Sequence, residues 1–370
     1  MVGKMTPMKM AVFAAAFLGL GMCGLLMLGV IGVNTGIAGL LVGLLLATLP
    51  VPLYVMLALW IDRNEKEPTW MLALAFVWGA TGACLISIVL NSVNGMVAGM
   101  LFGAQVGAAM GTVLSAPLVE ESAKALILAL FFFWKKDEFD NLTDGIVYAV
   151  MVGLGFAMTE NILYYGRALS SGGIGGSLFT FALRGMLGPF AHPLFTAMTG
   201  AGLGLARETN KKVLAFVAPF VGFGLALFLH FLWNASATFG GNMGYFAVYF
   251  LIMVPTFVAV IGLILFSLHR ERKVIRANLV RYVDAGLLST EDLDGLTRVG
   301  GRFRRLSAAM KSSGVGGWRR EGRFQQAASE LAFHNWRLSR GITRGAEQDA
   351  AGEEAFLGVI RDCRTDARLA

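Results

Sequence analysis

Apolar residues dominate the first 268 positions of this chain, in long unbroken runs set apart by short polar segments. A helix needs about 20 mostly apolar residues to cross the hydrocarbon core of a bilayer. Eight runs come close to or exceed that length: 10–33, 37–61, 69–91, 117–134, 143–165, 178–206, 213–237 and 244–268. The segments Asp62–Pro68, Lys135–Asn141 and Arg207–Lys212 are polar and turn-forming, as connections between spans should be. The pattern therefore predicts an all-α, polytopic membrane protein with about eight transmembrane helices. Residues 93–116, rich in Gly and Ala, fit no simple place in this series and are expected to form a re-entrant or interfacial piece. From residue 269 the long runs stop. Shorter helical patterns broken by glycine follow, and Ser289 or Thr290 ahead of Glu291 and Asp292 marks one helix start.

Composition sharpens that division. Of the residues, 56% are hydrophobic and 15% charged, with a mean hydropathy of +0.65, which excludes a soluble globular protein. Residues 1–268 hold 12 of the 31 Lys and Arg, and 269–370 hold the other 19. A transmembrane domain over 1–268 and a basic cytoplasmic tail over 269–370 are thus expected. With eight spans and a cytoplasmic N-terminus, the inner connections carry Lys4, Lys9, Arg63, Lys66, Lys135, Lys136, Arg207, Lys211, Lys212 and the tail, whereas the outer ones carry Arg167 alone. Positive charge accumulates on the cytoplasmic side, so both termini are expected inside, in a multi-pass protein of the cell (inner or plasma) membrane. The first run exceeds a signal peptide's h-region and lacks a clear cleavage site, so it is read as an uncleaved span. Basic residues beside the last span suit an anionic lipid surface, and nothing in the pattern points to nucleic acid. Cys23, Cys84 and Cys363 make neither a disulfide framework nor a metal motif.

Charged and polar groups inside the membrane carry the functional signal, because each costs several kcal/mol unless it has a partner or a task. Pro117 opens a helix on which Glu120, Glu121 and Lys124 follow within two turns. Lys124 reaches back to either carboxylate, three or four residues away, and one carboxylate is left over. The predicted topology brings Glu160, Arg184, His192, His230 and Asn234 to the same, outer half of the membrane. Asn234 shares a helix face with His230. Bland readings exist for each: a Glu–Lys pair joining helices, a Glu160–Arg184 ion pair, hydrogen-bonded structural histidines and an interhelical amide. Peptide-bond hydrolysis, however, needs an activated water, a polarised carbonyl and a proton for the leaving amine. A carboxylate pair in a low-dielectric site is suited to hold one proton and trade it. Glu160, His192 and His230 also compose a two-His, one-carboxylate set for Zn²⁺. No HExxH motif is present, and the residue types leave metal-dependent and metal-free mechanisms both open.

Four motifs, EExxK at Glu120–Lys124, FxxxE-N at Phe156–Asn161, HxxxT at His192–Thr196 and HxxxN at His230–Asn234, resemble those of PrsW-type intramembrane proteases. These are relatives of the CAAX-prenyl endopeptidases and bacteriocin-processing membrane proteases. The resemblance covers roughly residues 115–237. It implies a polytopic peptidase that cuts membrane-anchored proteins, in some bacteria an anti-sigma factor on its outer side. It carries Glu120, Glu121, Glu160, His192 and His230 over as the catalytic group, with Asn234 assisting. Lys124 and Arg184, as partners of these carboxylates, are expected to support it. The CAAX branch has His where Glu160 stands, and an arginine one position beyond Lys124, which argues against prenyl-protein processing. The tail resembles C-terminal extensions of actinobacterial members.

The expected protein is an intramembrane endopeptidase acting near the outer face of a single-pass membrane protein. A proton-coupled transporter would use the same residue types, but it needs polar groups reaching both faces and often two related halves; neither is seen. A non-catalytic adaptor acting through the tail is the third reading.

Overall fold

The computed structural model describes residues 7–188, 190–341, 343 and 345–368; Lys4, counted above for orientation, lies outside the described residues. Among these residues every regular element is helical. The chain divides into two compact units, one made of residues up to Trp60 together with Glu67–Ile261, the other of Ile61–Lys66 together with residues from Gly262 onward.

The first unit begins with α1 (Pro7–Thr48) and α2 (Val51–Ile61), followed by α3 (Thr69–Trp78), α4 (Cys84–Phe102), α5 (Ala104–Met110) and α6 (Ala116–Trp134). It continues through α7 (Leu142–Phe181), α8 (Ala191–Glu208), α9 (Lys212–Phe239) and α10 (Gly241–Val248). Among the described residues, five stretches are long and apolar enough to cross a membrane: Phe17–Ile61, Thr69–Phe102, Leu142–Glu208, Lys212–Phe239 and Gly241–Asp284. The chain is therefore an all-α, multi-pass membrane protein.

Glycines at positive φ divide these stretches. Gly36 (φ 70) breaks α1, Gly173 (φ 62) breaks α7, and Gly103 (φ 86) separates α4 from α5. Only glycine adopts this backbone without strain. At Gly103 the chain reverses. A Cβ built on Gly107 would lie 2.4 Å from the Gly99 nitrogen, although eight residues of continuous helix would separate those positions by about 12 Å. Residues 93–116, expected to be re-entrant or interfacial, form the last turns of α4, the reversal, and the start of the leg that leads into α6. With glycine at 95, 99, 103, 107 and 111, no single position marks the turn in the sequence. The predicted span 178–206 is also interrupted, by a π-helical turn at Ala182–Leu187 ahead of α8.

Helix crossings in this unit are set by backbone-to-backbone contact. A Cβ on Gly145 of α7 would meet the Gly200 carbonyl oxygen of α8 at 2.1 Å, and one on Gly200 would meet the Gly145 oxygen at 2.0 Å. Small residues at such crossings let membrane helices approach closely enough for extensive dispersion contact. Asn141 and Asp144 close a capping box that starts α7 sharply after the polar connection. Trp78 donates its indole N–H to the Ala123 carbonyl (2.9 Å), and Thr159 donates to that of Ala80 (2.8 Å), fixing α6 and α7 against the π-turn Gly79–Ala83.

The second unit contains the end of α11 (Val254–Asp284), α12 (Thr290–Thr297), α13 (Gly301–Ser339) and α14 (Ala346–Arg368). Ser289 is the N-cap of α12 and closes a capping box with Asp292. The unit has its own core, with Ile275, Leu279, Leu296, Phe324, Leu331 and Ile360 all buried, so the tail is a packed helical bundle. Helix α13 turns back at Ser313 and Gly314: Arg305 and Glu321 pair across the reversal at 2.7 Å.

Candidate active site

Helix α6 supplies the first three polar groups, and the choice left open by its sequence is resolved by the Lys124 ammonium. Lys124 is fully buried. Its Nζ lies 2.8 Å from Glu121 Oε1, 3.0 Å from His192 Nδ1 and 3.8 Å from the centre of the Phe156 ring. Glu120 Oε2 is 3.8 Å away, beyond hydrogen-bond range. Lys124 therefore takes Glu121, and Glu120 is the carboxylate left over.

Glu121 is saturated. Besides Lys124, it accepts from Thr196 Oγ1 (3.2 Å) on α8 and faces His230 Nδ1 (3.0 Å) on α9. An ionised carboxylate only accepts and an ammonium only donates, which settles both tautomers. His230 carries its proton on Nδ1, giving it to Glu121, and presents the Nε2 lone pair. His192 accepts from Lys124 at Nδ1 and carries its proton on Nε2, donating to Glu160 Oε2 at 2.7 Å. The same Glu160 oxygen accepts from Arg184 Nη2 at 2.6 Å, and Arg184 Nε donates to Asn161 Oδ1 at 2.8 Å. Arg184 also lies over the Tyr164 ring, 3.9 Å from its centre. The two imidazoles stand edge to face with centres 5.1 Å apart, and His230 stacks on Phe195.

Charge pairing isolates Glu120. Lys124 matches Glu121 and Arg184 matches Glu160, so among the described residues the third carboxylate has no cation of its own, only Lys124 at 3.8 Å. Its Oε2 is buried without any hydrogen-bond partner and lies 3.8 Å from His230 Nε2. A buried carboxylate of this kind is completed by a proton or a bound cation. One donor atom from each of Glu120, His192 and His230 lies within 4.8 Å of the others, a carboxylate and two imidazoles of the kind that hold Zn²⁺. Glu120 and His230 fit a metal as they stand, and the Glu121 contact to His230 Nδ1 is the outer-shell support such a ligand requires. His192 has both nitrogens engaged, so it ligates only when one of its contacts opens. Glu160, expected from the sequence in the ligand set, sits instead against Arg184 and His192.

These groups border a cavity of about 560 Å³ lined by Glu120, Glu160, Arg184, His192, Asn234 and Asn91, among others. Asn234 donates its amide to the Thr112 carbonyl at 2.9 Å, tying α9 to the π-turn Gly111–Ser115. Sequence reasoning missed Asn91, Asn94 and Ser115. The signal for two of them was present, as two asparagines three residues apart in a mostly apolar helix.

A family profile described as PrsW family intramembrane metalloprotease matches residues 67–260, a stretch that contains every residue of this site. Protease PrsW of Geobacillus kaustophilus is 32% identical over 191 residues, half of this chain and 76% of that protein. Protease PrsW of Oceanobacillus iheyensis is 32% identical over 176 residues, 46% of this chain and 75% of that protein. For Protease PrsW of Bacillus subtilis the figures are 30% over 154 residues, 41% and 62%. No solved structure matches the chain.

Proposed function

Because the chain belongs to the PrsW family of intramembrane metalloproteases, and is thus a membrane-embedded peptidase acting on a membrane-protein substrate, we propose that Glu120, His192 and His230 form its reaction centre. The buried, partnerless Glu120 Oε2 facing the His230 Nε2 lone pair carries this reading. Zn²⁺ held by Glu120 and His230, with His192 joining once its Nε2 is released from Glu160, would activate water and polarise the scissile carbonyl. The chain's own groups do the rest. Glu121 keeps His230 in the Nδ1–H tautomer, and Lys124 holds Glu121 and His192 in register. Glu160 lines the cavity, where its carboxylate can take a proton from the attacking water and return it to the leaving amine. Arg184 holds Glu160 in place and adds positive charge where the oxyanion develops. Asn234 positions α9.

The sidedness of positive charge supports a cut near the outer face of the cell membrane, with both termini cytoplasmic. The substrate proposed is a single-pass membrane protein, an anti-sigma factor being one candidate. Cells expressing the native protein or Glu120→Gln at equal abundance test this. Profiling of new protein N-termini in the membrane fraction is expected to yield a terminus, just outside the span of a single-pass protein, that the variant lacks. The same cut is expected to stop in purified protein after chelation and return with Zn²⁺. Identical N-terminal profiles across stress conditions would overturn the proposal.

For the second unit we propose an anionic lipid surface as partner. Where α13 reverses, Met310, Val315 and Trp318 are 43%, 54% and 46% exposed, beside exposed Lys311 and Arg319. Exposed apolar and aromatic side chains flanked by basic ones suit a membrane interface. Hydrogen exchange across residues 308–319 of the reconstituted chain is expected to slow in phosphatidylglycerol-containing nanodiscs relative to phosphatidylcholine alone. Equal exchange in both would dismiss the idea.

A further inference from the structure

We infer that Asn91 is a positioning residue for Glu120, oriented in turn by Ser115 and Asn94; this rests on the reading of Glu120 given above. The α4–α5 reversal makes the contact. Its legs approach closely at Gly99 and Gly107, and again at Gly95 and Gly111, which brings Ser115, the last residue of the π-turn, to Asn91 and Asn94 on α4.

The hydrogen bonds there have one direction. Asn94 Nδ2 lies 2.8 Å from Ser115 Oγ, and an amide nitrogen only donates, so the serine oxygen accepts. The hydroxyl has a single proton, and it goes to Asn91 Oδ1 at 3.0 Å. With its carbonyl end held, Asn91 has only its NH₂ group to turn toward Glu120, where Nδ2 stands 3.5 Å from Oε1. The flipped amide would set its oxygen against the Glu120 carboxylate, two acceptors facing each other. Asn94, Ser115 and Asn91 thus form a relay of donors that ends on the carboxylate.

Glu120 requires such a hold. Lys124 lies 3.8 Å from its Oε2, and a modest rotation of the carboxylate would exchange the His230 approach for a second ion pair with Lys124. A donor fixed on Oε1 opposes that rotation and keeps Oε2 toward His230. Outer-shell partners of metal or catalytic carboxylates typically change affinity or rate by about 10–100-fold.

The test uses the full-length protein in nanodiscs, with the peptide sequence around the cut identified by N-terminal profiling as substrate. Zn²⁺ affinity, measured against a chromophoric chelator, is a second readout. Asn91→Ala is expected to lower kcat and Zn²⁺ affinity by about 10–100-fold with KM unchanged. Ser115→Ala, which removes no contact to Glu120, is expected to shift both in the same direction by less. The double variant is expected to be no worse than Asn91→Ala alone, because the residues act in one chain. Additive losses in which KM and thermal stability move together would reduce the three residues to helix-packing contacts and overturn the inference. So would unchanged kcat and Zn²⁺ affinity in Asn91→Ala when Glu120→Gln is inactive. A fully active Glu120→Gln would overturn the reading of Glu120 itself.

Discussion

Glu120→Gln is expected to abolish cleavage, by about 10²–10⁴-fold, while leaving the fold as stable as before or more so. The combination is the informative part. Most substitutions in a packed interior destabilise, by about 0.5–3 kcal/mol, because they delete contacts. At Glu120 the wild-type carboxylate already lacks a cation of its own, and its Oε2 has no hydrogen-bond partner. The amide is nearly isosteric and carries no charge, so the desolvation cost of an uncompensated carboxylate disappears. What is lost is the negative charge beside His230, which a metal or a proton needs. Glu121→Gln should behave in the opposite way. Its carboxylate is bonded to Lys124, Thr196 and His230, and its removal strands a buried ammonium. That variant is expected to fall in both activity and stability. Thermal midpoints beside rates for the two purified variants separate the roles. If Glu120→Gln is destabilised as much as Glu121→Gln, the two carboxylates are equivalent structural partners of Lys124 and the assignment fails.

The distinction between these two glutamates was half legible. The spacing of Glu120, Glu121 and Lys124 showed that one carboxylate would be paired and the other left over, because both i,i+3 and i,i+4 lie within reach on a helix. Which one could not be read, since it depends on where α8 and α9 deliver Thr196, His192 and His230. The depth argument that grouped Glu160, Arg184, His192 and His230 required only the order of the spans, and the structure brings those residues together. It did not require correct boundaries, which is fortunate. In 93–116 glycines recur every four residues from 95 to 111 and Gln105 is the one polar residue near the turn, so the reversal shows only in the positive φ of Gly103. The relay through Asn91 was hidden for the same reason, because Asn91 meets Ser115 only after that reversal. In the tail, apolar positions such as Ile275, Leu279 and Leu331 announced helices, yet not that these helices pack on one another around a core. Packing partners at large sequence separation leave no periodic trace.

Lys124→Met is expected to be the most damaging single substitution in the protein, and a second substitution is expected to repair half of the damage. Lys124 is fully buried and is the counter-charge of Glu121, the donor to His192 Nδ1 and the cation over Phe156. Methionine fills similar volume but leaves Glu121 as a buried carboxylate without a cation, beside a second one at Glu120. Breaking a buried pair by removing one partner costs about 3–5 kcal/mol, a large fraction of the stability of an average domain. Replacing both partners with neutral groups does not carry this penalty. The Lys124→Met/Glu121→Gln protein is therefore expected to regain folding yield and thermal midpoint while staying inactive. His192 would have lost the donor that fixes its tautomer, and His230 the carboxylate that fixes its own. Their ring nitrogens would no longer be held with one lone pair toward Glu120 and one proton toward Glu160. Detergent-solubilised yield, thermal midpoint and cleavage rate across the two single variants and the double variant complete the cycle. Recovery of activity together with stability would mean that the Lys124–Glu121 pair serves the fold alone. Recovery of stability without activity would show that the ion pair's task is to orient two imidazoles. Failure of the double variant to fold would mean that the interactions of Lys124 with His192 and Phe156, rather than its charge balance with Glu121, hold α6, α7 and α8 together.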